Sequence, residues 1–459
     1  MSPASPEPVP LPAPATTRGE KALLVALAGL VFLAPLVILR GNFDAANLPQ
    51  SAFIALGALA LLCLWLWRSS PVFRLPRLLI LPPSLALLAW SALSLLWAAN
   101  RYEGAVVLLH WSACALVGVL TAARVREPRE ARLVLLGLFG AGLSVALLGT
   151  LQHLTGFSAI PQGFPPAATF VNKNMAAQFV IMVLPVGLAL ALETPRLGAL
   201  VFYWGSALMG AYVFYTRTRS AWLALAAEAL LLVLFRRHLG QSTKGRGLAL
   251  VGSLALLALL VHLGPLGFVR GPSAAYQDLV KPWLSSAPPA GAPPAATILS
   301  VQERIAIWRN TLAMIRDAPL LGVGLGNHPV QYPRYAHRVV VDPLFSPTLQ
   351  LDYVHNDYLQ VGAELGLVGL LLSLWFGIAL VRTFRSSEAA APPGWTGLGL
   401  GLFVGIAGVL VDALFSFPFY RAVPPLVIMV AVGLAAGVGR PSERTLILSP
   451  GLSRLLLGL

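Results

Sequence analysis

The side chains able to do chemistry in this chain are few and gathered at a handful of positions. His355 opens the run His355-Asn356-Asp357-Tyr358, and Glu364 follows two helical turns later. Arg217 and Arg219 flank Thr218, Arg304 stands one turn before Trp308, Lys173 lies between Asn172 and Asn174, and Asp412 interrupts an apolar stretch. A guanidinium is always charged and grips phosphate oxygens through paired hydrogen bonds. An imidazole titrates near neutrality, which suits a general base. Arginines with a histidine thus point to a weakly acidic group activated beside an anion. Each residue also has a plainer role open to it. Arg217 can snorkel to lipid headgroups, the Asn172/Asn174 pair can cap a helix at Asn174, and Asp357 can cap the next helix as readily as orient a histidine. Asp412 calls for a cation, and Arg421 is the expected partner.

Other chemistries find little support. Of the seven histidines, His110 falls in an apolar run, His238 follows Arg236-Arg237, and His153, His262, His328 and His337 read as solvated or interfacial. The spacing of His328, His337, His355 and the scattered aspartates matches no zinc pattern, and no Asp-x-Asp offers paired carboxylates to a divalent cation. Cys63 and Cys114 both sit in apolar runs, which argues against a disulfide framework or a cysteine metal site. The alternating glycines of Pro319–Gly326 have no βαβ context, so close backbone approach explains them better than a nucleotide turn.

The elements that position these residues follow from composition. The chain has 459 residues, 57% hydrophobic and 11% charged, with a mean hydropathy of +0.77. Soluble proteins run near about 25% charged, so a soluble enzyme, a secreted disulfide scaffold and a disordered regulator are all excluded. Apolar runs long enough to cross a bilayer number twelve, near 20–39, 50–67, 79–98, 104–121, 133–151, 174–192, 197–215, 220–235, 248–264, 359–381, 395–415 and 423–439. The expected organisation is a floppy tail at 1–17 with no signal peptide, nine transmembrane helices over 18–264, a long loop at 265–358, and three more helices with a second tail over 359–459. In that loop 265–299 is rich in Pro, Ala, Gly and Ser. Ser300 and Glu303 then suggest a capping box, and Val301, Ile305, Trp308, Leu312 and Ile315 have a helical period that ends before Pro319.

The net charge of +14 is topological, because arginines lie between spans and not in one patch, which excludes a nucleic-acid partner. Nineteen basic residues fall in loops on the side of the termini and six in short loops on the other. Both termini are therefore expected in the cytoplasm. The long loop, Asn172–Asn174, Arg217, Arg219 and the Asp412–Arg421 turn all fall on the far face, and ionisable groups at a membrane are costly and usually functional.

These motifs resemble one family. Arg304-x-x-x-Trp308, the Pro319–Gly326 turn and His355-Asn356-Asp357-Tyr358-Leu359-Gln360 with Glu364-Leu365-Gly366 resemble the signature of the O-antigen ligase and polymerase superfamily. Phe170-Val171-Asn172-Lys173-Asn174, Thr216 to Trp222, and Val411-Asp412 with Phe417-Pro418 are similar to the same family, in order, over about 170 to 425. The resemblance implies an all-α polytopic fold of the GT-C type, of about twelve transmembrane helices with one long periplasmic loop. It implies an enzyme of the bacterial inner membrane that works at the periplasmic face without metal or cofactor. Such an enzyme moves a glycan from undecaprenyl diphosphate to lipid A–core, among membrane lipids. On that reading Arg219 and Arg304, helped by Arg217, neutralise the leaving diphosphate. Lys173, with Asn172 and Asn174, touches substrate phosphate, and Asp357 and Asp412 complete the binding set. His355 is the catalytic base of a single inverting displacement.

Within the superfamily, protein O-oligosaccharyltransferases usually carry a further domain beyond the last span, whereas 20 residues follow 439 here. Of the external-side arginines 217, 219, 270, 304, 309, 316, 334 and 338, none is followed eleven positions later by glycine, a pattern of O-antigen polymerases. Both observations favour the ligase. A small-anion transporter, the rival from another class, would need polar groups at mid-membrane, where Glu228 and His110 are the main ones.

Overall fold

The computed structural model of the chain describes residues 18–41, 44–68, 72–76, 78–235, 301–342, 345, 352–390, 392–438 and 443–447. The helices are α1 (Arg18–Leu33), α2 (Asn47–Arg68), α3 (Leu81–Ser94), α4 (Arg101–Arg124), α5 (Pro128–Thr155), α6 (Lys173–Leu192), α7 (Arg196–Thr216), α8 (Arg219–Leu234), α9 (Val301–Asp317), α10 (Asp357–Ala389), α11 (Thr396–Asp412) and α12 (Val423–Val438). All but α9 correspond to expected spans. The ninth span, 248–264, lies outside the described residues, as do the 1–17 tail, 265–299 and the proposed Ser300 cap.

Hydrocarbon offers the backbone no partner, so long apolar runs satisfy their own amides as helices. Among the described residues α1, α2, α4, α5, α6, α7 and α10 are long and apolar enough to cross a membrane, while α3, α11 and α12 are shorter apolar helices. Bulky residues such as Leu56, Leu109, Leu197, Leu230 and Leu374 face outward and exposed, as a lipid-facing surface requires.

Small residues set the helix pairs that matter for the polar end. A Cβ at Gly405 of α11 would stand 2.3 Å from the Met182 carbonyl oxygen of α6, and one at Gly433 of α12 would stand 2.4 Å from the Gly118 oxygen of α4. Backbones approach this closely only through glycine, the usual device of membrane helix packing. The first contact lays α11 against α6, whose Gln178 lies beside Asp412, and the second lays α12 against α4.

Among the described residues a short two-stranded pairing joins the helices. β1 (Val72–Pro76) pairs antiparallel with β2 (Glu443–Ile447), Arg74 standing opposite Thr445. This clasp joins the ends of α2 and α12 on one side of the bundle.

α10 is broken. Gly366 has φ 64° and ψ −164°, outside any helix, so a buried segment 357–365 continues into a longer one over 367–389. The Pro319–Gly326 turn fills the break. Val323 N–H donates to Ala363 O (2.9 Å), Gly324 N–H to Glu364 O (2.8 Å) and Leu367 N–H to Pro319 O (2.8 Å), while Trp90 Nε1–H donates to Leu365 O (3.0 Å). A Cβ at Gly322 would lie 2.4 Å from the Glu364 backbone. The alternating glycines therefore serve close backbone approach, as their sequence context indicates.

α9 forms where expected but turns a different face inward. Ile305 and Leu312 are exposed, whereas Ile307, Asn310, Thr311 and Met314 are fully buried. Asn310 can occupy the core because all its capacity is used: Nδ2 donates to Ala336 O and Val340 O at 2.9 and 2.8 Å, and Oδ1 accepts from Val339 N and Val340 N.

Candidate active site at the broken helix

The residues around His355 are assembled by four elements. Trp308 of α9 donates its indole N–H to Val354 O (3.1 Å), and Gln360 Oε1 accepts from Val354 N (3.2 Å). These bonds hold 352–355 against α9 and α10. His355 takes the left-handed conformation, φ 56°, which is uncommon for a residue with a side chain. Asn356 then caps α10, its Oδ1 accepting from Leu359 N (3.0 Å).

The His355 ring meets Phe417 edge-on at 4.9 Å. Phe417 stacks flat on Tyr353 at 4.1 Å, and the Arg421 guanidinium covers both rings, 5.0 Å from Tyr353 and 4.7 Å from Phe417. The charges bearing on His355 are Arg304, Arg421 and His328; burial first, then these neighbours, lowers it to about 3. The imidazole is neutral at physiological pH, not poised near neutrality.

Arg304 is half-buried, and its Nε lacks a hydrogen-bond partner among the described residues. Burial lowers its pKa, and the charges around it are Asp412, Arg219 and Glu303. Asp412 is fully buried next to Ser220, Gln178 and Arg304. The cation facing Asp412 is thus Arg304 of α9 and not the expected Arg421, which the aromatic pair holds elsewhere.

Asp357 does neither job proposed for it. Its Oδ2 accepts from Phe419 N (2.8 Å) and its own N–H donates to Ala413 O (3.0 Å), so it ties α10 to the α11–α12 turn. Asn172, and not Asn174, caps α6, accepting from Asn174 N (2.9 Å). Asn174 Oδ1 instead accepts from the Thr218 hydroxyl (3.0 Å).

Arg219, Arg304, His355 and Asp412 therefore come together, with Arg421 added. Lys173 and Arg217 lie with His153, on which both charges bear, and form a separate group with Asn172 and Asn174.

Beneath the first group Glu364 is a fully buried hub. It accepts from Gly326 N (2.7 Å), Tyr420 OH (2.8 Å), His328 N (3.3 Å) and Gln360 Nε2 (3.3 Å). It ties the inserted turn, α10 and the Phe417–Arg421 segment into one rigid floor. His328, read from sequence as solvated or interfacial, is buried, with Thr311 Oγ1 3.4 Å from its Nε2. Tyr353 is the residue sequence reasoning passed over, while Arg421 was expected only as the partner of Asp412 and Glu364 was given no role. Their signal was position, close to His355 and to the Phe417-Pro418 pair.

A cavity of about 440 Å³ runs between α3, α4, α10, α11 and α12, walled by Leu87, Trp111, Leu374, Phe403 and Met429. Its polar end carries Asp357, Tyr358 and Phe419, two residues from His355 and Arg421. Among the described residues no three His, Cys, Asp or Glu side chains converge in a set fit to hold a metal ion.

Fold and site together define a polytopic helical membrane protein with a cationic, histidine-bearing site beside an apolar cavity. Residues 204–374 match the family model described as O-antigen ligase, which supports the superfamily that the sequence motifs resemble. Members of this family are glycosyltransferase-like ligases and polymerases. The matched stretch holds Arg217, Arg219, Arg304, His355, Asp357 and Glu364, and leaves Lys173, Asp412 and Arg421 outside. No curated protein matches the chain.

Proposed function

We propose that the protein is an inverting, metal-independent O-antigen ligase that moves a glycan from undecaprenyl diphosphate to lipid A–core at the periplasmic face of the bacterial inner membrane. The observation that carries this reading is the grouping of three arginines and a neutral histidine beside an apolar cavity of about 440 Å³. A polyprenyl chain in the cavity brings its diphosphate up to Arg304, Arg219 and Arg421. The acceptor hydroxyl attacks the anomeric carbon opposite the diphosphate and gives its proton to His355. The new C–O bond forms as the bond to the diphosphate oxygen breaks, the electron pair leaves with the diphosphate, and the anomeric centre inverts. The arginines stabilise the charge that develops, the dominant contribution in such steps. The Asp412 charge bears on Arg304, and both termini lie in the cytoplasm.

The test is transfer by purified protein in proteoliposomes supplied with lipid-diphosphate glycan and lipid A–core. Arg304→Lys keeps the charge and loses the two-pronged grip. Glycan transfer should fall by about 100-fold or more, the scale of removing one oxyanion donor, with insertion intact. Near-normal transfer by Arg304→Lys rejects paired recognition of the diphosphate. A lipid-linked glycan polymer as the sole product assigns the chain to the polymerases.

A further inference from the structure

A second cationic group stands at the same end of the bundle. It is formed by His153 near the end of α5, Lys173 at the start of α6 and Arg217 between α7 and α8. The His153 ring stacks on Tyr215 at 4.4 Å. Arg217 is exposed, Lys173 and His153 half-buried, so all three can be reached. Among the described residues neither Lys173 nor Arg217 makes an ion pair, and the charge bearing on Lys173 is that of Arg217. Two like charges brought together without a carboxylate repel each other unless an anion joins them.

The surrounding frame is preorganised. Arg217 is held in the left-handed region, φ 54°, next to the Thr218–Asn174 bond. The loop leading to Lys173 is pinned where Ala168 N–H donates to Gln152 Oε1 (2.7 Å) and Tyr212 OH to Pro166 O (2.9 Å). The first amides of α6 are already used, Lys173 N–H by Phe164 O and Asn174 N–H by Asn172 Oδ1, both at 2.9 Å. Any anion here is therefore gripped by side chains and not by the helix end. Arg219, one residue beyond Thr218, belongs to the first group, so the two groups adjoin.

We infer that Lys173, Arg217 and His153 bind a phosphate carried by the acceptor glycolipid, seating it beside the donor diphosphate. The inference rests on the transferase reading for the acceptor's identity. Its test reads binding and therefore does not depend on turnover. Full-length protein in detergent is titrated with lipid A, with phosphatase-treated lipid A, with phosphatidylglycerol and with undecaprenyl diphosphate. Lipid A should bind about tenfold more tightly than its dephosphorylated form, the scale of one charge-assisted hydrogen bond. Arg217→Gln and Lys173→Gln should each erase that difference and leave undecaprenyl diphosphate affinity unchanged. Two variants guard against misfolding, each checked by its melting temperature. Equal binding of both lipid A forms overturns the inference. So does competition by phosphatidylglycerol at matching concentration, which marks a general headgroup anchor. Equal loss of undecaprenyl diphosphate binding in Arg217→Gln overturns it too, by merging this group with the first.

Discussion

His355 offers the sharpest test of the chemistry, because its surroundings set two different proton affinities. In the unliganded site burial, Arg304 and Arg421 hold the imidazole at about 3, against an ordinary 6.5. A base that weak accepts a proton poorly, so activation has to come with the donor. A diphosphate lying among the arginines cancels their repulsion of the imidazolium. One net negative charge roughly 5 Å away, at an effective dielectric near 20, is worth about 3 kcal/mol, or roughly two pH units. The profile of kcat/KM for the donor reports the free enzyme and kcat the bound one. Between pH 4 and 9 kcat/KM is therefore expected to show no acidic limb, the free imidazole lying at about 3, while kcat shows one roughly two units higher, at about pH 5. His355→Gln should remove the kcat limb and lower transfer by about 100- to 10,000-fold. The assay is initial-rate transfer by purified protein from pH 4 to 9. Coincident limbs near pH 6.5, or a kcat limb that survives in His355→Gln, would refute the assignment.

Three further expectations follow from the same geometry. Activity should persist in excess EDTA, since arginines neutralise the leaving group; loss with EDTA that Mg²⁺ restores rejects metal independence. Gly366→Ala forces a Cβ to within 2.2 Å of Leu320 O at φ +64°. It should lower stability by about 1–3 kcal/mol or more, seen as a reduced melting temperature in detergent, and an unchanged melting temperature contradicts the break. His328 and His355 are both held near 3, so the unfolded chain takes up these protons first. They cost nothing above pH 6.5 and destabilise the fold progressively between 6.5 and about 3, and a melting temperature flat from pH 7.5 to 5 contradicts their burial as neutral rings.

The membrane spans were legible because hydrocarbon leaves a long apolar run one option, and the glycine turn because alternating glycines have few other uses. The inward face of α9 was not legible. The apolar period picks Ile305 and Leu312, but the side that is buried carries Asn310, which four bonds to residues 336–340 make acceptable in the core. The break in α10 was equally hidden, since Leu365-Gly366-Leu367 reads as an uninterrupted span and the groups that satisfy it lie some 40 residues upstream. That the Arg304 charge bears on Asp412 depends on how α9 docks, which no local spacing encodes. Proximity in sequence suggested Arg421 instead, and the stacked Tyr353–Phe417 pair had already claimed it.

The inserted turn also dictates an order of construction. Residues 367–389 can enter the bilayer as an ordinary apolar helix, but the Ala363 and Glu364 carbonyls and the Leu367 amide at the break find their hydrogen-bond partners only once Pro319–Gly326 has folded against them. Trp90, in a helix made far earlier, must already be in place to meet Leu365. His355 is thus fixed late, after segments from both halves of the chain have met. Until those segments meet, Arg304 of α9 and His355 before α10 have no common frame to hold them together.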